Sequence, residues 1–210
     1  MFFKKYAVLI GVLLSFLLLF IATMQYPGGS QFDAHSGGFS WRHNYLCNLL
    51  NPVAVNGTSP NPSQPWAIAG VLSLCFGVAV FFIHFSKKIP QKSASNIIKF
   101  AGAGAMAFGL FMATPLHDLV ATISGTLLML SLFYISVFVF RSKLHFFKIL
   151  AVLSLLSLYV CTYVYFTQHG LAYLPVLQKV NLGLSIALVL GLEYFTVEKD
   201  FLQTASTIKH

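Results

Sequence analysis

Charge is scarce in this chain. Only 9% of its 210 residues are Asp, Glu, Lys or Arg, and five of those are acids; ordinary soluble domains carry about 25%. With 57% hydrophobic residues, 21 Phe and 9 Tyr, the few polar side chains could not coat a globule in water. Disorder is excluded by the same balance, because disordered chains pair low hydrophobicity with high charge. Cysteine is also sparse. Cys47, Cys75 and Cys161 form no CxxC pair, which excludes a disulfide framework and a c-type haem site. The apolar runs do not alternate, as ten-residue strands of a membrane barrel would. Several membrane chemistries lack their residues. Thr122-Ile123-Ser124-Gly125 misses the first glycine of a GxSG protease motif. The apolar runs hold neither a mid-span lysine for a retinal Schiff base nor paired histidines for haem.

What is present is length in the apolar runs. A helix crosses a hydrocarbon core about 30 Å thick with roughly 20 apolar residues. Six runs meet that description, at 6–26, 65–85, 97–114, 117–140, 148–167 and 176–197, with a long segment, 27–64, between the first two. The expected fold is all-α, a single polytopic membrane domain over 1–210: six transmembrane helices and a long structured outer loop. Lys4, Lys5, Lys87, Lys88, Lys92, Lys99, Arg141, Lys143, Lys148, Lys199 and Lys209 fall on one side, and only Arg42 and Lys179 on the other. Because basic residues near span ends stay in the cytoplasm, both termini are expected there and the loop outside. The net charge of +8 thus reads as topology, and no nucleic-acid partner is expected. The first run has the basic start of a signal peptide but is long for one, and Ile21-Ala22-Thr23-Met24-Gln25 offers no good cleavage site.

Membrane helices associate through small residues and a few polar contacts. Ala101, Ala105, Gly109 and Ala113 recur at four-residue steps, so they share a stripe, which Ala121 and Gly125 of the next span are expected to meet in a tight hairpin. Gln178, Asn181 and Ser185 share a stripe of the last span, which must face protein or a wet cavity.

The chemistry gathers at the outer ends. In the loop, Phe39 to Leu50 is expected as a short interfacial helix with Trp41, Tyr45 and Leu49 on one face and Asn44 and Asn48 on another. His117 and Asp118 open the fourth span, His169 follows the fifth, and Lys179 lies one turn inside the sixth. An ionisable residue at the lip of a membrane bundle is a functional-site candidate, and Asp118 is the foremost. It is expected to cap its helix, alone or while also pairing with Lys179 or Arg42. The expected ligand-binding set is Arg42, Asn44, Asn48, His117, Asp118, Lys179 and Asn181, beneath a loop that closes the bundle mouth over a lipid headgroup or small polar ligand. Three imidazoles with an acid can hold zinc, and His43, His117 and His169 are the available ligands. They have no helical i, i+3 or i+4 spacing, so no cofactor is expected, with zinc as the alternative. Asn56-Gly57-Thr58 is a formal glycosylation sequon.

Tyr26-Pro27-Gly28-Gly29, Asn44-Tyr45-Leu46-Cys47-Asn48-Leu49, Asn56-Gly57 and Asn61-Pro62 together resemble the outer segment of an uncharacterised family of six-helix, mainly bacterial integral membrane proteins. Its layout is similar to that of DRAM-type and Frag-type proteins. The resemblance implies fold and a bacterial inner membrane, and no established reaction. Asn48 stands where that family usually has an acid. A weaker resemblance, carried by His117-Asp118 and His169, is to the alkaline ceramidase-like superfamily. Its seven helices and three-histidine zinc site imply a metal-dependent lipid hydrolase at the outer leaflet; this chain lacks the seventh helix and the His-x3-His of the last span. The remaining alternative is an assembly partner of another membrane protein. Membrane lipids, such a partner and a second copy of the chain are the expected associates.

Overall fold

The computed structural model describes the backbone of residues 2–202 and the side chains of 5–202. Lys209 and the side chain of Lys4, both used above, lie outside the described residues. The chain forms α1 (Phe2–Gln25), α2 (Gln64–Ser86), α3 (Lys92–Gly109), α4 (His117–Arg141), α5 (His145–Thr167), α6 (Leu174–Tyr194) and a final turn of helix, α7 (Lys199–Leu202). Two 3-10 turns, Leu46–Leu50 and Leu171–Tyr173, lie at the ends of connections. Among the described residues there is no strand, only an isolated bridge between Gly28 and Gly37.

Local chemistry explains the boundaries. Pro65 and Pro175 sit in the first turns of α2 and α6, where a missing N–H costs nothing and the fixed φ suits a helix. α5 stops at Gln168, whose φ of 60° is left-handed, and Gly170 follows at 79°, the usual way to close a helix C-terminus. α3 departs most from expectation. It begins five residues before 97 and ends five before 114, because the chain leaves the helix at Gly109 in successive tight turns through Phe111, Met112 and Thr114. Pro115 disfavours helical backbone at Thr114.

Five helices, α1, α2, α4, α5 and α6, are long and apolar enough to cross a membrane. α3 falls short of that mark. It has 18 residues, about 27 Å at 1.5 Å per residue, and Lys92, Ser93, Ser95, Asn96 and Lys99 occupy its first turns.

Each helix packs on the next in sequence, and α6 returns to touch α2 and α1. We call the end of the bundle where α2 and α4 finish the inner end. There the core is dense: Phe81, Phe82 and Phe85 of α2 are fully buried, joined by Ile98, Leu132, Ile135, Leu188, Leu192 and Phe201. Small residues allow this packing. A Cβ at Gly102 of α3 would lie 2.2 Å from the Phe82 ring, so only glycine lets that ring sit against the α3 backbone. Ala101, Ala105 and Gly109 are buried as the stripe requires. They serve two neighbours: a Cβ on Gly109 would meet Cys75 of α2, while Ser124 of α4 donates to the Ala105 carbonyl at 2.8 Å. The expected α4 half of the seam differs. Ala121 and Gly125 face a cavity instead.

α6 is fastened at the inner end by polar groups. Lys88 donates to the carbonyls of Leu192 and Glu193, both at 2.8 Å, and of Thr196 at 3.0 Å, and so satisfies acceptors that a helix C-terminus leaves open. Burial pushes the Lys88 ammonium below its ordinary value, against the pull of Glu193 and Asp200. One turn earlier, His84 Nδ1 meets Glu193 Oε1 at 2.7 Å.

Candidate functional site at the outer end

The outer loop closes on itself before it closes on the bundle. Gly28 and Gly29 take φ of 138° and 84°, and a Cβ on Gly29 would lie 2.4 Å from the Asn56 amide. The strand-like chain there can thus approach its neighbour only as glycine. Asn44, fully buried, is the hub. Its Oδ1 accepts the Ser40 N–H at 2.8 Å, and its Nδ2 donates to Gly29 O at 2.7 Å and to Asn48 Oδ1 at 3.4 Å. Asn48, also buried, accepts the Tyr45 N–H at 2.7 Å. Buried Asn61 donates to Asn51 O at 2.9 Å and accepts the Ser63 hydroxyl at 2.8 Å. These amides satisfy a backbone that has no ladder or helix to satisfy it. The expected interfacial helix is therefore replaced by turns and the 3-10 turn Leu46–Leu50, with both asparagines pointing into the loop and Trp41 exposed.

Lys179 ties this loop to α6. Its ammonium donates to Asn44 O at 2.7 Å and Pro175 O at 2.8 Å and lies 5.7 Å from the Phe39 ring centre. Gln178, one residue earlier, accepts the Leu46 N–H at 3.0 Å. Below, Tyr26, Leu49, Leu50, Ala54 and Ala67 form a second small core. The Tyr26 hydroxyl donates to Gly29 O at 3.3 Å and accepts the Val55 N–H at 3.2 Å. Burial raises its pKa, partly offset by the Val55 bond, and burial also raises that of Tyr45.

Between this loop and α4, α5 and α6 the outer half of the bundle parts into a cavity of about 790 Å³, within the usual range for small-molecule sites. Its mouth carries Tyr45, Cys47, Asn48 and Asn51 from the loop, His117 from α4, Tyr165 from α5 and Gln178 from α6. Its depth follows from helix direction. Along α4 the lining descends through Ala121 and Gly125 to Met129, twelve residues below His117 and so about 18 Å at 1.5 Å per residue. Leu158 and Cys161 of α5 line the deep part with it. Below the polar mouth, Ala121, Gly125, Met129 and Leu158 share the wall with Thr122, Thr126, Thr162 and Asn181.

At the mouth, His117 Nδ1 meets Asp118 Oδ1 at 3.1 Å, and the Tyr165 hydroxyl donates to the same oxygen at 2.8 Å. The other ring nitrogen, Nε2, is buried and has no hydrogen-bond partner among the described residues. Cys47 lines the same mouth, and Gln178 Nε2 points at the Cys47 sulfur, 3.6 Å away.

The expected site residues thus separate into three groups. His117, Asn48 and Asn181 reach the cavity; Asn181 accepts the Ser157 hydroxyl at 2.9 Å. Asn44 and Lys179 are spent on holding the loop. Arg42 is exposed and makes no hydrogen bond or ion pair among the described residues. Asp118 pairs with neither Lys179 nor Arg42, and no side chain caps α4, whose N-cap is Leu116. Nor do the three histidines converge: the His43 ring lies against Phe32 at 5.5 Å, and His169 Nδ1 turns back to Thr167 O. Among the described residues no three His, Cys, Asp or Glu side chains are grouped to hold a metal. Sequence reasoning passed over Cys47 and Tyr165, since only the docking of the loop brings residues 47, 117 and 165 to one place. For Gln178 the polar stripe of α6 was the available signal. No family model, curated protein or solved structure matches the chain.

Proposed function

We propose that this chain is a multi-pass membrane protein whose outer-end cavity holds an amphiphile, a lipid headgroup or small polar ligand at the mouth with any chain running inward toward Met129 and Leu158. The observation that carries this reading is one cavity of about 790 Å³ with polar groups at its mouth and a mixed wall of apolar, threonine and asparagine side chains below, open where the rest of the bundle is packed. In this reading α3 is the sixth membrane helix, tilted or shallow, because its short connections to α2 and α4 leave it beside both. Both termini lie in the cytoplasm, as the eleven-to-two division of basic residues requires, and the likeness to the six-helix bacterial family favours an inner membrane.

The test is to fill the cavity. A Cβ on Gly125 meets nothing within 4 Å, so Gly125→Leu adds bulk inside the lining without straining the helix. Native mass spectrometry of the protein, purified in mild detergent and exposed to phosphatidylethanolamine and phosphatidylglycerol, should show a retained lipid on the wild type. At least tenfold less should remain on the variant at equal thermal stability. Equal retention by both would refute the reading.

A further inference from the structure

The side chains lining the outer cavity have one omission in common. Among the described residues none of them is Lys, Arg, Asp or Glu, although Asp118 and Lys179 stand at the same end of the bundle. Both charges have partners of their own. The Lys179 ammonium is held by Asn44 O at 2.7 Å and Pro175 O at 2.8 Å. The Asp118 carboxylate accepts from the Tyr165 hydroxyl at 2.8 Å and meets His117 Nδ1 at 3.1 Å. His117 does line the mouth, but with Asp118 it makes a pair whose charges sum to zero when the imidazole is protonated and to −1 when it is not. In neither state does the mouth hold a surplus positive charge. An anionic head drawn inward would exchange its water for a wall without a counter-charge, and a charge is costly to bury unless it is paired.

The wall is nonetheless polar, and its polarity is of one kind. Thr122 donates to Asp118 O and Thr126 to Thr122 O, both at 2.8 Å, and Thr162 donates to Leu158 O at 2.9 Å. A hydroxyl has one proton and two lone pairs. With the proton used inside its own helix, each threonine has only lone pairs left for the cavity, and the Tyr165 hydroxyl, already donated to Asp118, is in the same position. Among the polar side chains below the mouth only Asn181 carries an amide donor. The bond between Asp118 and Tyr165 also fixes the register of the antiparallel helices α4 and α5. Four residues further along α4 and three back along α5, Thr122 and Thr162 stand at a common height, about 5 Å below that bond at 1.5 Å per residue. A ligand that matches this wall brings its own donors and no charge. An alcohol does so, whereas a phosphate brings charge, and an ester carbonyl brings acceptors alone.

We propose that the cavity selects an amphiphile with an uncharged, hydroxyl-bearing head of the monoglyceride type, whose hydroxyls donate to Thr122 and Thr162 while its chain runs toward Met129 and Leu158. This rests on the amphiphile reading of the cavity and narrows it to one chemical class. A phospholipid is held there by its chains, with its phosphate left toward the water outside the mouth, and therefore binds more weakly.

The test offers the full chain in dodecylmaltoside three lipids with one and the same chain at equal concentration: monopalmitoylglycerol, the same lipid with a phosphate on its glycerol, and methyl palmitate. Native mass spectrometry reads which is retained. The wild type should hold monopalmitoylglycerol at least about tenfold over each of the other two. Thr122→Val/Thr162→Val keeps the shape of both side chains and removes their lone pairs. It should lower retention of monopalmitoylglycerol by about tenfold and leave methyl palmitate and the melting temperature unchanged, which damage to the fold would not do. Gln31→Lys supplies the missing cation at an exposed position of the mouth whose side chain makes no hydrogen bond among the described residues. It should raise retention of the phosphate-bearing lipid by up to about fivefold. Equal or better retention of that lipid by the wild type overturns the uncharged head and leaves the cavity. Methyl palmitate held as well as monopalmitoylglycerol, or a double variant without effect, overturns the hydroxyl. If Gly125→Leu retains all three lipids as the wild type does, the amphiphile reading itself fails, and this one with it.

Discussion

Replacing Asn44 by Ala should undock the outer loop while leaving the helices in place. The side chain satisfies Gly29 O in a buried site and the Ser40 N–H in a partly buried one. Removing it leaves the Ser40 N–H without its partner and Gly29 O with only the longer bond from the Tyr26 hydroxyl. A buried unsatisfied group costs about 1–3 kcal/mol, and water reaching the more open Ser40 amide lowers its share. With Gly29 O still held by Tyr26, the loss is about 1–3 kcal/mol against the docked loop, or on the order of 5- to 140-fold in its opening equilibrium at 1.4 kcal/mol per tenfold. The Lys179 bond goes to the backbone carbonyl of residue 44 and survives the substitution, so the estimate excludes it. Hydrogen exchange in detergent reads the effect directly. The Ser40, Tyr45 and Leu46 amides should exchange faster by about that factor, while amides of α2 around Phe81 to Phe85 stay unchanged. Such local opening is expected of an element with its own small core. Equal exchange at Ser40 in both proteins would refute the hub role, and uniform acceleration through α2 would refute the independence of loop and bundle.

Tyr26 and Tyr45 give the loop a pH limit. Burial raises both phenol pKa values above the ordinary 10.0; the stability this represents is therefore fully present below pH 10 and is lost as pH rises through the folded-state values. Trp41, packed edge-on to Phe39 at 5.4 Å, should report this as a fluorescence transition above pH 10 in a Trp66→Phe background, and the transition should vanish in Tyr26→Phe/Tyr45→Phe. At the inner end, Lys88→Met keeps the side-chain length beside Phe85 and removes the donor to three carbonyls. A loss of about 1–3 kcal/mol is expected, visible as a lower thermal midpoint; an unchanged midpoint would mean that water serves those carbonyls equally well.

The long apolar runs were legible because hydrophobic length is a local property: α1, α2, α4, α5 and α6 fall within a few residues of the expected spans. α3 was legible as a helix and misplaced by five residues, since Lys92 to Asn96 read as a polar connection when they are its first turn. The polar outer residues were found as a group, but their roles were not. Asn44 and Asn48 looked like ligand groups because the sequence does not say that Gly29, Ser40 and Tyr45 would need their amides. Asp118 was identified, yet its partner is the adjacent His117 and a tyrosine 47 residues away, not the distant cations that charge alone would choose. The cavity was invisible, because it depends on Ala121 and Gly125 turning away from α3, a choice that small residues leave open until helix rotation is fixed.

The inner fastening of α6 bears on how the protein is made. Three groups on α1, on α2 and just past its end, the Leu9 amide, His84 and Lys88, meet partners on α6 or just beyond it: Tyr194 Oη at 3.0 Å, Glu193, and the carbonyls at the helix end. Synthesis delivers those partners only after α1 to α5. Until about residue 196 has left the ribosome, α1 and α2 wait with a lysine, a histidine and a gap where α6 belongs, so the bundle closes only after α6 has been made. A chain interrupted before α6 should be recognised as unfinished by membrane quality control, while one interrupted after Phe201, with the same five earlier helices, should be spared.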